Sequence, residues 1–83
     1  MKETREQKIE KMVEECAKII KEDVQRIEGK PETTKDHYGD YASLLSVFSG
    51  GQQKIVALAC IKAGAHPEGI RAAMGMLTGS IFN

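Results

Sequence analysis

The chain has no tryptophan, and only two tyrosines and two phenylalanines among its 83 residues. So few large rings exclude a core organised around aromatic packing. Proline occurs twice, at Pro31 and Pro67, which leaves long stretches free to be helical. Cysteine also occurs twice, at Cys16 and Cys60, with no Cys-x-x-Cys pair and no His/Cys grouping at metal-site spacing. A disulfide scaffold and a structural zinc site are therefore not expected, and both thiols are read as buried in apolar stripes. No apolar run approaches the roughly 18 residues that a membrane span requires. Charge of one sign is missing too, since twelve Lys and Arg balance twelve Asp and Glu. A strongly basic nucleic-acid binder and an acidic disordered tail are thereby disfavoured.

The balance is uneven along the chain. Residues 1–40 hold nine basic and eleven acidic side chains, against three and one in residues 41–83. Apolar residues run the other way, eleven before Tyr41 and 23 from it onward. A charged front half is joined to an oily, glycine-rich back half, and the length leaves room for one small domain over residues 1–83. Met-Lys-Glu-Thr-Arg-Glu carries no apolar signal-peptide core, so a cytoplasmic location is expected.

Helical periodicity dominates. Residues 4–28 are predicted to form one long amphipathic helix. Thr4 and Gln7 match a Thr-x-x-Gln capping box, and Ile9, Met12, Val13, Cys16, Ile19, Ile20, Val24 and Ile27 recur at three- and four-residue steps. Asp23 and Arg26 interrupt the stripe where a long zipper would be apolar. On the opposite face, Glu14 with Lys18 and Glu22 with Arg26 are spaced as four-residue ion pairs. Gly29 and Pro31 end the helix, and residues 29–40 form a polar connection.

Three shorter helices follow within residues 41–79. Tyr41, Leu44, Leu45 and Phe48 give the first its apolar face, with Asp36 or Asp40 as N-cap, Gly39 at positive φ and Gly50-Gly51 as its end. Residues 52–63 are apolar almost all round, which places that helix in the middle of the body, covered on several sides. Gly64 closes it. Pro67 opens the last helix, whose face is Ile70, Ala73, Met74 and Leu77 and whose end is Gly79, ahead of an apolar tail, Ile81-Phe82-Asn83. The fold expected is all-α, one long helix packed on three shorter ones. The first helix is about 36 Å long at 1.5 Å per residue and the others about 13–18 Å. The short ones cannot cover the whole stripe, so either Ile9, Met12 and Val13 stay exposed or a second copy covers them, a dimer being the first expectation.

Ala59, Gly64 and Ile70 are spaced as in a helix-turn-helix, placing such a corner within residues 52–78. The same stretch resembles the last two helices of ubiquitin-associated three-helix domains, although Phe48-Ser49-Gly50-Gly51 stands where that family has a Met-Gly-Phe/Tyr loop. The outward positions of the last helix (Glu68, Arg71, Ala72, Gly75, Thr78) offer one cation against one carboxylate. That is a poor match to DNA, where phosphate contacts dominate affinity. The densest cluster of functional side chains is Lys35, Asp36, His37, Tyr38, Asp40 and Tyr41. With His66 and Arg71 it forms the candidate surface for a protein partner, or for a small nucleotide held by stacking and hydrogen bonds. His37, Asp36, Asp40 and His66 lack metal-ligand spacing, so neither metal nor cofactor is expected. No nucleophile motif or carboxylate pair points to catalysis. Gly75 and Met76, with Met74 and Gly79, give the last helix a small, adaptable face suited to self-association alongside Ile9, Met12 and Val13.

The function expected is therefore stoichiometric binding by a small helical interaction module, with a DNA-binding regulator and a nucleotide binder as alternatives. An analogy of size and class alone extends this to phage-borne inhibitors of host defence proteins.

Overall fold

The computed structural model describes residues 3–31 and 37–82, with side chains through Leu77. It contains four helices: α1 (Arg5–Glu28), α2 (Tyr38–Ser46), α3 (Gly50–Lys62) and α4 (Pro67–Phe82). No strand occurs among the described residues. The architecture is all-α, a 24-residue helix packed on three shorter ones.

α1 starts as its sequence dictates. The Gln7 amide donates to Thr4 Oγ1 at 3.1 Å and the Thr4 amide to Gln7 Oε1 at 2.9 Å, closing the capping box. At the other end Gly29 is the C-cap. The expected four-residue ion pairs are not the ones formed. Glu14 meets Lys62 of α3 at 3.5 Å and Arg26 meets Asp23 at 2.6 Å, because α3 crosses close to Glu14 and the shorter i,i+3 reach suits a planar guanidinium.

α2 departs further from expectation. It begins at Tyr38, and His37, not Gly39, takes the left-handed backbone, with φ 55° and ψ 31°. Histidine is among the non-glycine residues that enter this region most readily. Asp40 is thus not an N-cap. It sits in the first turn, near the positive end of the helix, and its carboxylate pairs with Lys30 at 3.2 Å. Asp36, the other expected cap, lies outside the described residues, as does Lys35.

α2 ends at Ser46, and Gly50-Gly51 form the first turn of α3 instead of terminating its predecessor. The Ser49 carbonyl accepts from the amides of Gln52 (2.9 Å) and Gln53 (3.0 Å), which starts α3 two residues early. Gln53 also reaches back: its Nε2 donates at 3.3 Å to the Leu45 carbonyl, which also accepts from the Phe48 amide at 3.1 Å, and at 3.3 Å to the Phe48 carbonyl, tying the end of α2 to the start of α3.

The α3–α4 corner is a Schellman turn around Gly64, whose φ is 111°. The Ala65 amide donates to Cys60 O (2.9 Å) and the Gly64 amide to Ile61 O (3.0 Å). α4 then opens at Pro67. His66 stands at its N-cap, with Nδ1 accepting from the Glu68 amide at 3.2 Å. The helix continues past the expected stop at Gly79 to Phe82, so Ile81 and Phe82 belong to it.

α1 packs mainly on α3, and α2 mainly on α4. The core joins Ile20, Val24 and Ile27 of α1 to Tyr41 and Leu45 of α2, Val56 and Cys60 of α3, and Ile70 and Ala73 of α4. Among the described residues, six of the 14 buried apolar side chains of this core are alanines, which lets the backbones approach closely while burying little area per residue. Glu28 ties the layers together. Its Oε2 accepts from the Tyr41 hydroxyl of α2 and from the His66 amide at 3.2 Å, so one carboxylate joins the end of α1 to α2 and to the start of α4. The radius of gyration, 13.3 Å, exceeds the roughly 12 Å of a compact domain this long, because the front of α1 extends beyond the core.

Candidate interaction surface

The segment with the densest chemistry faces inward. Tyr41 is fully buried, with its hydroxyl donating to Glu28. Burial, and then the Glu28 contact, raise its pKa. His37 is only 5% exposed, held at the start of α2. Of the three rings expected to stack on a nucleotide or meet a partner, Tyr41 and His37 are thus part of the body. Tyr38 is half-buried, and Asp40 is engaged with Lys30. Lys35 and Asp36 fall outside the described residues, so four members of the cluster are placed, two of them inside.

The other polar candidates are engaged as well. His66 caps α4, and Arg71 pairs with Glu68 of the same helix at 3.0 Å. Ala72 and Gly75 are exposed beside them. The outer face of α4, as far as it is described, therefore presents one arginine already matched by a carboxylate. It has little to offer a polyanion. Among the described residues no three His, Cys, Asp or Glu side chains converge as metal ligands.

The exposed apolar residues tell a different story. The buried face of α1 begins only at Ala17, with Val13 and Cys16 half-buried. Ahead of and beside it, Ile9 is 38% exposed, Met12 50% and Ile19 78%. α3, expected to be covered on several sides, is buried at Val56, Ala57, Ala59 and Cys60 but leaves Leu58 50% and Ile61 39% exposed. The reason is numerical: an all-round apolar helix needs neighbours on every side, and α3 has α1 on one flank and lighter contacts with α2 and α4 on another.

Where α3 crosses α1, the open residues line two clefts. One, of about 300 Å³, lies between Met12, Cys16 and Ile19 of α1 and Phe48, Ile55 and Val56. The other, of about 520 Å³, lies between Ile9 and Val13 of α1 and Leu58 and Ile61 of α3, with Glu10, Glu14 and Lys62 at its rim. Apolar floors with a charged rim are the anatomy of a protein-contact patch. Sequence reading assigned Ile9, Met12 and Val13 to self-association, as the uncovered part of the α1 stripe, and missed Leu58 and Ile61. Their type suited burial, and only the crossing geometry of α1 and α3 separates the covered side of α3 from the open one. Met76, 52% exposed, and Gly75 lie on α4, outside both clefts.

Both cysteines are free thiols, Cys60 buried and Cys16 half-buried, and burial raises the pKa of each. No known protein family, curated protein or solved structure matches this chain. Among the described residues no helix is long and apolar enough to cross a membrane.

Proposed function

We propose that this chain is a small protein-binding module that acts stoichiometrically, as an inhibitor or regulator, by seating a partner on the α3 side of its α1–α3 face. The observation that carries the reading is the exposure of Leu58 and Ile61 over the larger cleft, next to Ile9, in a chain of only 83 residues. Leaving two large aliphatic side chains open next to a third costs solubility, and such patches mark contact sites. The rim of Glu10, Glu14 and Lys62 supplies polar contacts that orient a partner without dominating its affinity. Catalysis receives no comparable support, because His37 is buried at the start of α2 and the His66 ring caps α4. DNA binding is weakened by the Arg71–Glu68 pair and nucleotide binding by the burial of His37 and Tyr41.

The test is affinity capture from native lysate with the wild-type chain and with a Leu58→Gln/Ile61→Gln variant, read by mass spectrometry for proteins, nucleic acids and small molecules. Thermal melting of both chains checks the fold. The expected result is one protein recovered in fixed ratio by the wild type and reduced about ten-fold or more by the variant, the loss expected of two contact residues at the centre of a patch. Equal recovery by both chains, or capture of nucleic acid instead, overturns the proposal.

A further inference from the structure

A second pattern runs along α1 beside the larger cleft and shares only Ile9 with it. Arg5, Ile9, Met12, Cys16, Ile19 and Asp23 follow one another at alternating four- and three-residue steps and so share a seam along the helix. The seam is apolar at its centre and charged at its ends, basic at Arg5 and acidic at Asp23, whose carboxylate also pairs with Arg26 of its own helix. The chain's own core covers α1 from the adjacent side, through Ala17, Ile20, Val24 and Ile27. The seam is therefore open where Met12 and Ile19 stand, along the cleft whose far wall is Phe48 and Ile55.

The order of charges selects both occupant and direction. A parallel second copy would set Arg5 against Arg5 and Asp23 against Asp23. An antiparallel copy related by a two-fold axis through residue 14 sets Arg5 opposite Asp23 twice, Ile9 opposite Ile19 twice and Met12 opposite Cys16 twice. In the flanking row, Lys8 then meets Glu22 twice, and Glu15 meets its own counterpart at the axis. We infer that α1 pairs with α1 of a second copy of this chain, antiparallel and centred on residue 14, through the Ile9–Ile19 seam. The pairing uses α1 and does not depend on the α3 surface proposed for an outside partner. The seam is a strip of about 28 Å by 10–12 Å, roughly two-fifths of the area per partner of a standard interface. The dimer is accordingly concentration-dependent, not obligate.

Sedimentation equilibrium across a wide concentration series tests the inference. Wild type is expected to pass from monomer to dimer. Arg5→Glu and Asp23→Arg are each expected to raise the dissociation constant about ten-fold, since each removes two symmetry-related pairs, and the double variant is expected to restore it. Arg5 is exposed, and Glu at the first turn of a helix suits its dipole. Asp23 is half-buried and pairs with Arg26, so Asp23→Arg also removes that pair, and circular dichroism with thermal melting verifies that each variant keeps the fold. Glu15→Gln is expected to tighten the dimer by relieving the contact at the axis. A monomer at every concentration overturns the inference. So does a dimer indifferent to the single charge reversals, or one that they weaken but the double reversal fails to restore. Capture of an outside partner through Leu58 and Ile61 is unaffected by these variants, so either proposal can fail without the other.

Discussion

At the scale of single residues, the decisive group is Glu28. A carboxylate at the end of α1 is placed against the negative end of its own helix, yet it is held by the Tyr41 hydroxyl and the His66 amide. Tyr41 is fully buried, so its hydroxyl has no water to fall back on. Removing it in Tyr41→Phe is expected to cost about 1–2 kcal/mol, as loss of a hydrogen bond to a charged group does. For a chain this size that lowers the melting temperature by roughly 4–8 °C per kcal/mol. The same ring sets an alkaline limit. In the folded chain burial raises the pKa of Tyr41 and pushes the Cys60 thiol from its ordinary 9.0 up to about 12. The unfolded chain therefore releases these protons first and binds fewer of them at high pH, so stability falls as pH rises. Wild type is expected to be flat in denaturant midpoint up to about pH 9 and to lose stability from there through about pH 12. In Tyr41→Phe the decline is shallower. A midpoint that rises above pH 9, or a variant as stable as wild type at neutral pH, contradicts this account.

At the scale of elements, glycine has opposite meanings in a turn and in a helix. Gly64 sits at φ 111° in the turn that joins α3 to α4, where an L side chain is strained. Gly75 lies inside α4 with nothing within 4 Å of where a Cβ would stand. Gly64→Ala is expected to destabilise by about 1–2 kcal/mol and Gly75→Ala to stabilise by about 0.5–1 kcal/mol. Chemical denaturation of the two variants measures both, and shifts of the same sign would refute the assignment. These elements also show what was legible beforehand. Thr4 with Gln7, Gly64 and Pro67 act through local backbone chemistry, within a few residues of themselves, and were read correctly as a start, a stop and a start. Gly50-Gly51 and His37 were not, because their roles depend on what lies across the chain. The double glycine reads as a stop until Gln53 is seen to close α2 from the side of α3. A left-handed histidine at the start of α2 carries no sequence signature that separates it from Gly39, two residues on.

At the scale of the whole molecule, the uneven charge and apolar content become one arrangement. The charged half is largely α1, whose rear half lies on the core and whose front half extends beyond it. Ile9 and Met12 are held by few contacts of their own chain, whereas Ile20, Val24 and Ile27 are buried among three other helices. Helix propensity alone does not hold a short segment in water, so the front of α1 opens locally while the rear opens only when the molecule unfolds. Amide hydrogen exchange is expected to grade along α1 in dilute solution, fast before about Val13 and slow from Ala17 onward. Raising the protein concentration adds protection to the front half if a second copy covers the seam, and changes nothing in the rear half, which is already closed. Uniform protection along α1 in dilute solution would mean that this chain covers its own stripe by contacts absent here. Local exchange that is fast and indifferent to concentration would leave the front of α1 open and overturn its pairing with a second copy.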